Sequence, residues 1–285
     1  SINFILNASF IKVPIVRKIY FLSDHSGVTA ETFGHSLITQ FDIKNFRQET
    51  LPFIDTKDKT KNVVSKINQD FDESAIRPII FGTLVREDLR LLLKASHGLY
   101  LDIFDVFLKS IEKEFKQKST QKVGQAHGMS DIDSYMSRIE ATNFALTNDD
   151  GGFNQNYDEA DVILVGVSRT GKTPTCLYLA LQYGIYAANF PLTDEELDQG
   201  ILPKFLDAQK KKIFGLTIEP KRLRQIRKER RALGKYSSTQ QVRYELREAE
   251  KIFKRYSIPY VDTTAFSIEE ISSRILDQTG IKRKI

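Results

Sequence analysis

The sequence predicts an α/β protein: an N-terminal parallel-sheet α/β domain followed by a second α/β domain that contains a phosphate loop. Three observations carry the prediction. Short apolar runs alternate with amphipathic stretches along most of the chain, as strands do when helices cover both faces of a parallel sheet. The alternation breaks between 116 and 130, where Lys, Gln, Ser and Gly dominate and a surface loop between units is expected. Beyond the break stands the octet Gly166-Val167-Ser168-Arg169-Thr170-Gly171-Lys172-Thr173, which fits the pattern G-x-x-x-x-G-K-[ST] at every fixed position.

In order, the run 19–22 reads as the first strand and 29–41 as the first helix; 49–54 is a second strand and 57–68 a polar helix. A third strand is expected at 78–81, a helix from about Glu87, and a fourth strand at 98–103. Tyr135, Ile139, Ala141, Phe144 and Leu146 give a later helix its apolar side, and Thr147-Asn148-Asp149-Asp150-Gly151-Gly152 ends it with turn chemistry. That places the domain boundary at 148/149, with 17–148 as the first unit and 149–285 as the second. Residues 1–16 read as a leader or an extra strand: Asn3, Asn7, Ser9, Lys12 and Pro14 interrupt the apolar character that a signal peptide or a membrane span requires. In the second unit, strands are expected at 161–165, 185–190, 212–216 and 259–261.

The octet assigns roles by itself. Its glycines let successive N–H groups face an anion, and the following helix turns its positive end to the same charge. Lys172 adds a cation that reaches the outer phosphates, and Thr173 offers its hydroxyl to a magnesium ion. The context fits, because the β-branched run 161–165 precedes the loop and an apolar periodic stretch follows it, with Pro174 in the first turn where a missing N–H costs nothing.

Composition narrows the remaining classes. The 285 residues are 41% hydrophobic and 28% charged, as in a soluble globular protein, and no stretch matches a membrane span. A formal charge of +5 suits phosphate-bearing ligands without implying nucleic acid. The single cysteine, Cys176, excludes an internal disulfide framework and points to a reducing cytoplasm.

Other residues invite two readings each. Asp24, where the first strand meets the first helix, is either a general base or metal ligand, or a turn-forming, helix-capping Asp. His127, between Gly124 and Gly128, is either a proton shuttle or a solvated loop histidine. The basic run 221–231, with Leu223, Ile226 and Leu233 on one face, is a solvated helix surface or a place where Arg227 or Arg230 clamps a phosphate. Asp262 is the nearest candidate for a metal-ordering acid, or a turn cap.

Together these residues resemble the bifunctional kinase and phosphorylase proteins that regulate phosphoenolpyruvate synthase or pyruvate, phosphate dikinase. The resemblance runs through Ser23-Asp24 with Thr29-Ala30-Glu31, Tyr135, Arg138-Ile139, Asp149-Asp150-Gly151, the octet with Pro174-Thr175, Ala187-Ala188-Asn189, Phe214-Gly215-Leu216-Thr217-Ile218, Ile226-Arg227 and Ser267-Ile268-Glu269-Glu270. Gly34-His35 before Gln40-Phe41, together with His127-Gly128, Ala187-Ala188-Asn189 and Glu229-Arg230-Arg231, looks more like the synthase branch. The resemblance implies that ADP donates its β-phosphate to a threonine of the target, leaving AMP and an inactive enzyme. It also implies that inorganic phosphate attacks the phosphothreonine, releasing diphosphate and restoring activity. Lys172, Asp24 and His127 are then the catalytic candidates, 166–173 the nucleotide loop, Thr173 the contact to Mg2+, and phosphoenolpyruvate synthase the protein partner, with neither nucleic acid nor membrane involved and a homo-oligomer allowed. A dikinase regulator, a small-metabolite kinase and a non-catalytic nucleotide switch are the alternatives.

Overall fold

The first unit is a parallel sheet with one strand order. A computed structural model describes residues 16–43, 45–120, 132–149, 156–230 and 234–284. β1 (Arg17–Ser23), α1 (Val28–Ile38), β2 (Phe46–Leu51), α2 (Lys57–Ser74), β3 (Ile79–Thr83), α3 (Glu87–Lys94), β4 (Leu99–Asp102) and α4 (Ile103–Phe115) follow in sequence. The strands are ordered β2-β1-β3-β4, every neighbouring pair parallel. Tyr20 and Leu22 point to one buried cluster with Ile67, Ile80, Leu89 and Leu93, while Ile19 and Phe21 point to another with Ala30, Ile38 and Phe81. Alternate residues of β1 thus feed two cores, one on each face, as the apolar run 19–22 requires.

The second unit repeats the plan. It comprises α5 (Ile132–Thr147), β5 (Val162–Gly166), α6 (Lys172–Tyr183), β6 (Ala187–Pro191), α7 (Asp194–Gln199), α8 (Lys204–Asp207), β7 (Ile213–Thr217), α9 (Pro220–Arg230), α10 (Thr239–Arg255), β8 (Tyr260–Asp262) and α11 (Ile268–Thr279). The order is β6-β5-β7-β8, again all parallel. All five residues of β5 are buried. Ile163 and Val165 face a core with Leu223, Val242 and Phe253; Val162 and Leu164 face one with Leu179, Ile185 and Ile271.

The chain divides into compact units at Ser1–Gly128 and Met129–Ile285, which moves the expected boundary at 148/149. The reason is packing: Ala141 and Ala145 of α5 are buried in the same cluster as Cys176, Leu179 and Ala180 of α6, so α5 belongs to the second unit. The expected leader at 1–16 lies, apart from Val16, outside the described residues.

In the order β2-β1-β3-β4 the chain leaves β1 toward β2 on one side and β3 toward β4 on the other, and open α/β sheets bind ligands in the crevice at the carboxyl ends of the two strands where the direction reverses. The crevice falls between β1 and β3 in the first unit and between β5 and β7 in the second.

Candidate functional site

β5 ends at Gly166, where the backbone of β7 comes so close that a Cβ would lie 2.5 Å from the Leu216 carbonyl oxygen. Only glycine fits there without moving main chain. At the other end of the loop, Gly171 caps α6 with φ of 94°, a left-handed conformation that costs glycine little. Arg169 holds φ of 78° between them, an uncommon value for a residue with a side chain and one found at functional turns. No side chain caps the N-terminus of α6, where the helix dipole favours negative charge.

Threonine hydroxyls brace the curl from below. Thr170 Oγ1 donates to the Val167 carbonyl at 3.0 Å, and Thr263 Oγ1 reaches the carbonyls of Thr170 and Thr217 at 3.2 and 3.0 Å. Lys172 is 5% exposed and donates from Nζ to the Val167 carbonyl at 3.0 Å. The ammonium therefore lies folded over the loop it is expected to serve.

The back of the loop is tied by a cation that sequence reading assigned elsewhere. Arg227 of α9 has no exposed surface. Its Nη2 donates to the Ser168 carbonyl at 3.1 Å and to Glu245 Oε2 at 2.5 Å, and its Nη1 to the Tyr236 carbonyl at 3.0 Å. Its guanidinium carbon lies 4.3 Å from the centre of the Tyr236 ring, whose hydroxyl is 3.0 Å from Ser168 Oγ. This corrects both readings of Arg227: it is neither on a solvated face nor free to clamp a phosphate. Arg230, one turn on, lines a cavity of about 330 Å³ with Ser168, Arg169, Gly171, Lys172, Thr173, Pro174 and Ile226. Leu233 lies outside the described residues.

On the other side of Lys172 is a polar triad. Thr173 Oγ1 donates to Asp149 Oδ1 at 2.8 Å, while Asn189 Nδ2 lies 2.5 Å from the same oxygen and 3.2 Å from Thr173 Oγ1. Asn189 is 1% exposed, in register with Leu164 of β5. Asp149 is fixed from behind, because the Asn148 carbonyl accepts from Asn189 N at 3.0 Å and Asn148 Oδ1 accepts from Asn156 N at 2.8 Å. In the sequence Asp149 stands as a helix-ending turn residue and within the resemblance, and Asn189 within the expected strand 185–190 and the resemblance. The legible signal was an amide in the strand run Ala187-Ala188-Asn189-Phe190, where burial on both faces leaves no place for an unbonded polar group.

Asp262, the earlier candidate for ordering a metal, accepts from Thr264 N at 2.8 Å and Thr264 Oγ1 at 2.5 Å. These are the bonds of a turn cap, one of its two readings. Cys176 is buried within the second core, where desolvation pushes its thiol well above the ordinary range.

In the first unit, Asp24 stands at the end of β1, 6% exposed, with Oδ2 accepting from Val85 N at 2.7 Å just beyond β3. Burial raises its pKa, and the Val85 N–H opposes the rise. It does not cap α1: the N-cap is Gly27, with φ of 86° and no side-chain bond. The site residue His127 lies outside the described residues.

Fold and loop define a doubly wound α/β protein with a glycine-framed loop and a helix end without a side-chain cap at a topological switch point. Residues 19–276 match the kinase/pyrophosphorylase family, and the chain belongs to that family. Proteins of Marinobacter nauticus and Legionella pneumophila, each named "Putative phosphoenolpyruvate synthase regulatory protein", are 49% identical to it over 267 and 269 residues. The alignments cover 94% of this chain and 98% and 99% of those relatives. A Pseudomonas fluorescens protein of the same name is also 49% identical, over 268 residues. No described helix is long and apolar enough to cross a membrane.

Proposed function

We propose that this chain is a cytoplasmic, bifunctional regulator of phosphoenolpyruvate synthase that phosphorylates a threonine of the synthase from ADP and removes the phosphate by phosphorolysis. The observation that carries the reading is the loop 166–173 itself. Its helix end is uncapped, its two glycines hold positions no other residue would fill without strain, and a buried lysine lies across it. Membership of the kinase/pyrophosphorylase family supports phosphoryl transfer, and the names of the relatives support the target.

In the forward reaction the threonine oxygen forms a bond to the β-phosphorus of ADP as the bond from that phosphorus to the bridging oxygen breaks. AMP leaves with that oxygen, and the hydroxyl proton passes to a base. In the reverse regulation an oxygen of inorganic phosphate attacks the phosphothreonine; diphosphate leaves, and the threonine oxygen regains a proton. The α6 N–H groups fix the phosphates, and Lys172 turns from the Val167 carbonyl toward the charge that develops on the moving phosphoryl group. Bound Mg2+, contacted through Thr173, would neutralise the phosphate oxygens. Asp24, already raised by burial toward holding a proton, is the described candidate for acid–base work, with His127 the other.

The test is to mix the protein with phosphoenolpyruvate synthase and ADP labelled at the β-phosphate, with γ-labelled ATP in parallel. Label on a synthase threonine from ADP is expected, followed by its release as diphosphate when inorganic phosphate is added. Label from ATP alone would replace the reading with an ordinary protein kinase. Label from neither would turn attention to pyruvate, phosphate dikinase as the target. Lys172→Ala is expected to abolish transfer while leaving the circular dichroism spectrum unchanged.

A further inference from the structure

We infer that Asp149 is the acid that orders a divalent cation at the phosphate loop, and that Asn189 is the positioning residue that holds its carboxylate there. The inference rests on the nucleotide reading above. Mg2+ keeps several waters and is bound through one or two carboxylates together with substrate phosphates. That arrangement suits this chain, because no group of three His, Cys, Asp or Glu residues among those described could hold a metal alone. In a loop of this type the Thr173 hydroxyl faces the metal, and a carboxylate has to face the hydroxyl.

Two other described carboxylates around the loop are already committed. Asp262 is bonded to Thr264, and Glu245 is paired with the buried guanidinium of Arg227. Asp149 alone of these reaches Thr173, at 2.8 Å. A hydroxyl and a carboxylate are hard oxygen donors of the kind Mg2+ and Mn2+ take. The Asn189 amide, buried in β6 and bonded to both, fixes the distance between them. Backbone pairing of Asn189 N with the Asn148 carbonyl then carries the carboxylate to this place from the end of α5 rather than from a strand end.

The experiment measures metal and nucleotide binding separately on the full chain. ADP affinity is read by calorimetry in EDTA, and Mn2+ affinity of the ADP complex by electron paramagnetic resonance. Asp149→Asn, which keeps shape but removes charge, is expected to bind ADP in EDTA as the wild type does. Its Mn2+ affinity in the ADP complex should fall by about 10–100-fold, the usual cost of losing a carboxylate at or behind a metal. Asn189→Ala should shift Mn2+ affinity in the same direction by less, and Asp262→Asn should leave it unchanged. Unaltered Mn2+ binding by Asp149→Asn would overturn the assignment. So would an equal loss of ADP affinity in EDTA, which would make Asp149 a latch for the loop. Either result leaves the nucleotide reading standing; failure of the wild type to bind ADP at all would remove both.

Discussion

A guanidinium with no exposed surface persists inside a protein only where its charge is met, and Arg227 is met through both Nη atoms by Glu245 and by two main-chain carbonyls, its Nε being left without a hydrogen-bond partner. Arg227→Ala leaves the Glu245 carboxylate buried without a cation, a loss of about 3–5 kcal/mol that urea denaturation should show. Arg227→Lys keeps the charge but not the fork. A single ammonium cannot hold the Ser168 carbonyl, the Tyr236 carbonyl and Glu245 in the same geometry, so this variant should lose ADP affinity for a smaller loss of stability. Normal ADP binding in Arg227→Lys would show that the loop keeps its shape unaided. Asp24 offers a test with the opposite sign. Its pKa is raised in the folded state, so the folded chain binds the proton more tightly than the unfolded one, and the stability this gives at low pH is lost as pH rises through the folded pKa. Asp24→Asn should therefore be more stable than wild type at neutral pH, with the gap closing as pH falls through the raised folded pKa and closed below about pH 4, the ordinary aspartate range. Denaturation midpoints at the two pH values check it, and a constant gap would refute it. Gly166, Gly171 and Lys172 were legible as a motif because its pattern is local, eight consecutive positions at fixed spacing. Asp149 and Arg227 were not, because their roles come from partners 24 and 59 residues away in Thr173 and Ser168.

Boundaries between elements obey signals that the apolar pattern does not carry. The second strand was expected at 49–54 but occupies Phe46–Leu51, since Pro52 lacks the N–H a further ladder bond needs and Phe53 turns to φ of 58°. The polar helix from Lys57 runs to Ser74, past the expected 68, and stops where Ala75 takes φ of 55°. The fourth strand was drawn through 103, yet Asp102 ends it: its side chain accepts from Asp105 N and caps α4 at once. With no polar linker between strand and helix, α4 was not read at all. Where a cap is written in local chemistry it was available, as in Ser267-Ile268-Glu269-Glu270, quoted only as a family-like run. Ser267 Oγ accepts from Glu270 N, and Glu270 Oε2 accepts from Ser267 N, forming a reciprocal box at the start of α11. Ser267→Ala should cost about 1 kcal/mol, read as a shift in the denaturation midpoint at constant slope. No shift would mean that the packing of Ile271 and Ile275 suffices to start the helix.

The two units share a strand order, a switch point between first and third strands, and a positive-φ glycine at the N-cap of the helix that follows the first strand. What differs is the charge placed there. The second unit sets Lys172 on its loop, whereas the first sets a buried Asp24 at the equivalent strand end, which opposes an anion. Equal architecture therefore does not imply two equal phosphate sites, and ADP is expected to stabilise the unit that carries the lysine. The described side-chain bonds to the loop at 166–173 from outside it come from Asp149, Asn189, Arg227, Tyr236 and Thr263, all in the second unit. Binding should thus survive damage to the first core. Gly34 provides that damage: a Cβ there would lie 2.5 Å from the Phe21 ring and 2.8 Å from that of Phe81, and overpacking of this kind costs about 1–3 kcal/mol. At a hundredfold excess over its dissociation constant, ADP adds about 2.7 kcal/mol to the state that binds it. Calorimetric melts of wild type and Gly34→Ala, with and without ADP, should show the variant's first unit unfolding earlier and the same ADP increment in the second. An increment that vanishes in Gly34→Ala would mean that the nucleotide site depends on the integrity of both units, and the assignment of ADP to the second unit alone would fall.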